Sequence, residues 1–308
     1  VKKVLYIILI AAVTYACEDT VEIDLEEQEP FMNVDAWLTH TNDTQQIRLT
    51  YTRPYFDNGK PQPALNATVS VVEIETQTLY SFTDADSDGF YTWIPAETDT
   101  FGTIGSSYAL VIEHQGVTYE SFSTMNPVPP IDSITFEYNK KDAFFEDDWY
   151  YADFWARDIE GPGNTYWIKA FKNGVYLNKP EEINVAYDAS FSPGGEVDGL
   201  VFIQPIRTAI NRFEDDDTPA PSPYQQGDTL KVELHSITEE AWFFLSRVRD
   251  ETVRNPGFAQ LFANPLANSP TNLVASGDNR VTGFFSVAAV SALEVEMNDD
   301  NIVDRIPE

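Results

Sequence analysis

The chain has 308 residues, of which 50 are acidic and 19 basic, giving a formal charge of −31 at neutral pH. A surface so acidic excludes a nucleic-acid binder, whose phosphate partners demand a basic stripe, and equally a protein that lies flat on an anionic bilayer. A single cysteine precludes an internal disulfide, so core burial alone must hold the fold, and a chain this long is expected to divide into two domains.

At the N-terminus, Lys2 and Lys3 precede the apolar run VLYIILIAAV, and Ala16 stands directly before Cys17. This is the pattern of a secretory signal, too short for a bilayer-spanning helix of ~20 residues. The segment resembles a bacterial lipoprotein signal, which implies that residues 1–16 are removed and the Cys17 thiol is lipidated, palmitate being one of the acyl groups. Thr14 and Tyr15 depart from that motif, and a buried, inert cysteine is the bland alternative. Removing Lys2 and Lys3 with the signal takes the charge to −33. Glu18, Asp19, Glu22 and Asp24 make the next stretch, 17–30, an acidic tether. Glu18 and Asp19 also resemble the export signal that sends Bacteroidota lipoproteins to the exterior of the outer membrane, and periplasmic retention stays open.

Residues 31–126 carry seven short stretches, NVDAWLT, QQIRLTYT, ATVSVVEI, LYSFTD, GFYTWI, SYALVIEH and VTYESFST, each alternating or nearly alternating apolar with polar residues between turn formers. The period of two predicts strands, and their spacing predicts a β-sandwich. Pro127, Pro129 and Pro130 stop the pattern, so 127–131 reads as a linker. In 132–308 further strands are expected at SITFEYN, YYADFWARD, TYWIKAF, GLVFIQP, DTLKVELHSI and finally VTGFFSVAAVS. YYADFWARD is greasy on both faces, as a strand held between two layers would be. One clear helix is predicted near 238–254, with Ser236 and Glu239 matching a capping box and Ala241, Trp242, Leu245 and Val248 forming an apolar stripe. Asn255, Pro256 and Gly257 end it. Glu214 to Asp228 is aperiodic, rich in Pro and acid, and reads as a surface loop.

DADSDG, Asp84 to Gly89, is the sharpest chemical candidate. Asp84, Asp86 and Asp88 start an EF-hand-like loop that would hold Ca²⁺, but the required twelfth-position glutamate is Pro95 and the flanks alternate as strands. A hairpin turn with Gly89 at positive φ is the competing account. No other cofactor is expected. His40, His114 and His235 lie far apart, and neither a G-x-S-x-G elbow nor a phosphate-binding glycine loop occurs, so no enzymatic set is in view. In DAFFEDDWYY, Phe144, Phe145 and Trp149 lie among carboxylates, a composition that suits a glycan, a peptide or a protein partner, or else aromatics turned inward at a sheet edge.

The passages ALNATVSVVE, DSDGFYTW and GSSYALVIEHQGVTYESFST resemble carboxypeptidase-regulatory-like and transthyretin-like sandwiches, in which the Asp-Gly-aromatic element is a turn. VDAW, GSSYALVIEHQGVTYESFSTMNPVPPIDSI, SITEEAWFFL and NPLANSPTNLVASGDNRVTGFFSVAAVS, together with Cys17, are similar to the Bacteroidota lipoprotein family known as domain of unknown function 4249. The expected fold is mainly β: an N-terminal Ig-like or transthyretin-like β-sandwich, then a second β-rich domain with one conspicuous late α-helix. The resemblance implies lipid anchoring in the outer membrane, facing the cell exterior, and a non-catalytic accessory role beside a TonB-dependent nutrient transporter barrel. It supplies no catalytic residue. A glycan- or matrix-binding adhesin and a lipoprotein subunit of outer-membrane assembly machinery are the alternatives.

Overall fold

The computed structural model describes residues 29–54, 57, 59–139, 149–211, 224–253 and 270–304. The alternating stretches of the first half become strands β1 Met32–Thr39, β2 Gln45–Tyr51, β3 Thr68–Glu73, β4 Thr78–Phe82, β5 Phe90–Trp93, β6 Ser107–His114 and β7 Val117–Thr124. Alternation has the consequence it should. In β1, Met32, Val34, Ala36 and Leu38 are all buried, while Asp35 and Trp37 point to the other side.

The second half supplies β8 Ile131–Asn139, β9 Trp149–Ala156, β10 Thr165–Lys172, β11 Val175–Tyr176, β12 Asn184–Tyr187, helix α1 Gln204–Thr208, β13 Thr229–Ile237, helix α2 Glu239–Thr252, β14 Val274–Ala275, β15 Val281–Glu296 and β16 Ile302–Asp304. Thus the protein is mainly β with one substantial late helix. Strands β11, β12, β14 and β16 are too short for a readable period, and β16 displaces the VTGFFSVAAVS strand as the last. GLVFIQP is not a strand. Only Val201 bridges, to Arg157, and Pro205, which has no N–H for a ladder, opens α1 instead.

The α2 N-terminus also differs from expectation. Ser236 is buried in β13, opposite Tyr166 of β10 and Ala289 of β15, and Thr238 is the cap, accepting from Ala241 N at 3.3 Å. Two ladders hold the backbone extended at Ser236 and the β10 ladder continues to Ile237, so strand pairing overrides the local box. Ala241 and Leu245 of the anticipated stripe are buried.

The framework is an eight-stranded sheet in the order β11-β10-β13-β15-β1-β2-β5, with β12 also on β10. On one face, at one end, the five-stranded sheet β14-β7-β6-β3-β4 closes a core of Val34, Leu38, Ile47, Leu49, Val71, Phe101, Tyr108, Leu110 and Ile112. At the other end of the same face, the sheet β16-β8-β9 and α1 close a second core around Phe136, Phe154, Tyr166, Ile168, Phe202, Val232 and Leu234. Each such side chain contributes about 1.5–3 kcal/mol when fully buried. Val128, in the proline-rich stretch, packs against both cores.

Strand β15 runs through both. Its Phe285, Val287 and Ala289 complete the first core, and Leu293 and Val295 line the second. It pairs in parallel with β1 and antiparallel with β13. The opposite, open face of the large sheet carries α2, which packs Ala241 and Leu245 on Val185, Ile237, Phe284 and Ala288, with Trp37, Trp167 and Phe244 beside them. Beyond the helix that face mixes charged and polar side chains with aromatics such as Phe90 and Phe171.

Candidate functional site

Of the residues singled out from sequence, Cys17, Glu18, Asp19, Phe144 and Phe145 lie outside the described residues, and Trp149 begins β9. Asp84, Asp86 and Asp88 are described. Asp84 accepts the Asp88 and Gly89 backbone N–H groups at 3.2 and 3.1 Å, and Asp88 accepts that of Phe90 at 3.0 Å. These are the side-chain bonds of an aspartate-stabilised turn. Gly89 takes φ +84, and its carbonyl receives Leu49 N at 2.9 Å. The turn is not a hairpin: β4 and β5 share only the Thr83–Thr92 bridge, and the loop carries the chain from the five-stranded sheet to the edge of the large one.

Among the described residues, the place where three acidic side chains bring oxygens within 4.8 Å of one another is elsewhere, at Asp158, Asp188 and Asp198. Their short stretches, RDIEGPG, YDAS and EVDG, lie too far apart in sequence to read as one group. Oxygen donors in this number suit a hard cation. Each is also held by protein donors: Asp158 by Tyr166 OH at 2.6 Å and Gly199 N at 3.1 Å, Asp188 by Gly163 N at 2.8 Å and Asn164 N at 3.0 Å, Asp198 by Gly161 N at 2.9 Å. Burial, and then the two neighbouring carboxylates, push the Asp158 pKa up against the pull of Tyr166 and Gly199.

Tyr166→Phe removes the shortest of these bonds from a carboxylate that is 3% exposed. A loss of about 2–3 kcal/mol is expected in urea unfolding at pH 7. The variant raises the Asp158 pKa further, so its deficit belongs to the ionised carboxylate and must shrink as pH falls through the folded-state value. A deficit that is constant with pH would show that the hydroxyl acts through packing alone.

The polar part of the open face forms a cleft of about 280 Å³ lined by Asp35, Trp37, Thr39, Asp43, Thr44, Gln45, Gln46, Arg48 and Phe90. Lateral register builds it. Asp35 of β1 stands opposite Arg48 of β2, and Arg48 stands opposite Phe90 of β5. The guanidinium carbon lies 5.1 Å from the Phe90 centroid, and Arg48 Nε is buried with no acceptor among the described residues. Trp37 is fixed by stacking on Phe284 at 5.5 Å and by an edge contact with Trp167 at 5.1 Å. Gln45 turns inward, accepting Thr39 N at 2.8 Å and donating to Asp43 O at 2.8 Å, which shapes the β1–β2 end of the cleft. Asp35 keeps an exposed surface yet is surrounded by protein on most sides, the situation of a group on the floor of an open concavity. That desolvation outweighs Arg48 and the Trp37 indole and raises its pKa.

A second polar row adjoins it on β13 and β10. Glu233 receives Lys231 Nζ at 2.6 Å and His235 Nε2 at 3.0 Å. Burial holds His235 down to about 4, so it is neutral at pH 7 and donates through Nε2–H, since a carboxylate can only accept. Lys169 Nζ lies 3.8 Å from the Trp167 ring centre and 6.0 Å from that of Tyr176. Burial brings it to about 8, against the attraction of Glu233 and Asp35. The other histidines are separately engaged, His40 accepting Val290 N at 3.0 Å and His114 bonding Tyr51 OH at 2.6 Å.

Two sheet-on-sheet cores on a shared eight-stranded sheet, with an aromatic-walled polar cleft on its open face, define a β-rich protein. Among the described residues no helix is long and apolar enough to cross a membrane. The chain matches the family model described as Domain of unknown function (DUF4249) over residues 18–294, and it belongs to that family. No curated protein matches it.

Proposed function

We propose that the protein is a lipid-anchored lipoprotein on the exterior of the outer membrane and a non-catalytic accessory subunit of a TonB-dependent transporter, docked through the outward face of its five-stranded sheet. The observation that supports docking is an apolar row continuous across four strands. Leu79 of β4, Val72 of β3, Ala109 of β6 and Phe122 of β7 are consecutive register partners pointing away from the core. Leu79 is 60% and Phe122 65% exposed, and Val274 of β14 extends the patch at 69%. Apolar surface gathered in this way marks an interaction site, unlike single exposed apolar residues.

Charge and tether support this choice of partner. A formal charge of −31 opposes pairing with a second copy and contact with anionic lipid. Eleven residues separate Cys17 from Glu29, a reach of at most about 40 Å, so a lipidated Cys17 keeps the domain at the membrane and raises its effective concentration beside an embedded barrel. The full chain, purified by affinity from detergent-solubilised membranes of cells that express it natively, should bring down a TonB-dependent barrel in stoichiometric amount. Leu79→Asp with Phe122→Asp should abolish that recovery while leaving the thermal transition within a few degrees of the parent. Undiminished recovery with the double variant would remove the patch from the interface, and co-purification of assembly factors instead would point to outer-membrane assembly machinery.

A further inference from the structure

The polar cleft on the open face lies on a different sheet from the docking patch, and its chemistry specifies a ligand. Its lining sets seven hydrogen-bonding side chains against the two aromatic walls of Trp37 and Phe90. An apolar ligand would strand those polar groups without partners, which disfavours it strongly. An anion would gain Arg48 but face both Asp35 and Asp43, and a cation would meet the Arg48 guanidinium. Asp35 and Arg48 are register partners that form no ion pair among the described residues, so an acceptor and a donor of opposite charge lie side by side on the floor, the carboxylate bonded by the Trp37 indole and the guanidinium resting over Phe90.

We propose that this cleft binds a neutral saccharide, taking one pyranose ring. Adjacent hydroxyls of a pyranose can donate to the Asp35 carboxylate and accept from the Arg48 guanidinium at once, while Thr39, Thr44 and Gln46 reach those at the rim. The C–H faces of the ring pack on Trp37 and Phe90, and both aromatics are already fixed, Trp37 against Phe284 and Phe90 against Arg48, so little ordering entropy is lost on binding. A volume of about 280 Å³ sits at the small end of ligand sites, enough for a single sugar ring with the rest of a longer glycan left in solvent.

This inference does not depend on the tether or the barrel, and its test needs neither. The full chain, purified in detergent, is examined by saturation-transfer NMR and calorimetry with glucose, galactose, N-acetylglucosamine, cellobiose and maltose, and with glycine and glutamate as zwitterionic and anionic probes. At least one neutral sugar should bind, and Asp35→Asn, which is near-isosteric, and Arg48→Gln, which keeps a polar side chain without the charge, should each weaken it about tenfold or more with unchanged far-UV circular dichroism. Binding by none of the sugars, sugar binding untouched in both variants, or binding confined to glycine or glutamate would each overturn the assignment. A negative result here leaves the docking patch standing, and loss of barrel recovery leaves the cleft standing.

Discussion

Gly283→Ala is expected to destabilise the protein severely. Gly283 lies in β15 directly opposite Val34 of β1, at φ +98, a conformation that L side chains rarely adopt. A Cβ there would run into the Val34 carbonyl oxygen and approach its carbonyl carbon and amide nitrogen to 2.7 Å. All three obstacles are backbone, fixed by the neighbouring β1–β2 ladder, so no rotamer change relieves them. Backbone strain of about 1–3 kcal/mol adds to steric overlap of similar size, about 2–6 kcal/mol together. That is a large share of a native state worth about 5–15 kcal/mol. Soluble yield and the urea midpoint measure the effect. A Gly283→Ala protein with a midpoint near the parent's would mean that the parallel β1–β15 register differs from that described.

Cys17→Ser should move the protein from the membrane fraction to the soluble periplasmic or extracellular fraction. Under the proposed anchoring, several acyl chains hold the chain at about 0.8 kcal/mol per buried methylene, a sum that serine cannot replace. The acidic body gives no second attachment to an anionic surface. Radiolabelled palmitate should enter the parent and not the variant. Firm membrane association of Cys17→Ser, resistant to high salt and persisting when Leu79→Asp and Phe122→Asp are added to remove the docking patch, would mean that anchoring resides elsewhere, and the tether argument for the barrel would fall with it.

Much of the fold was legible because its determinants are local. All seven alternating stretches of the first half are strands, since a period of two puts one face of each into a core whatever their neighbours are. Order across the sheet was not legible. Nothing in VTGFFSVAAVS states that it lies beside NVDAWLT, because parallel pairing of Met32 with Val281 is a tertiary outcome with no local signature.

The same distinction governs the candidate sites. DADSDG stands out on the page because its aspartates are contiguous, yet two of them tie up backbone N–H groups in a turn. Asp35, Arg48 and Phe90 fall on three separate strands, and only lateral register makes them neighbours. Their one hint was a charge in the outward-facing register of an otherwise apolar strand, at Asp35 in NVDAWLT. The capping error at α2 has a similar origin: Ser236 and Thr238 both offer a hydroxyl, and only the β13 ladders decide between them.

Strand β15 also dictates when the molecule can exist. The core built on β1 lacks Phe285, Val287 and Ala289 until nearly the whole chain is available, so a nascent polypeptide leaving the ribosome in order has no complete first half to collapse into. Contacts this distant in sequence close slowly. Under the proposed export, that delay would keep the chain unfolded for the crossing, with assembly starting only once β15 has arrived.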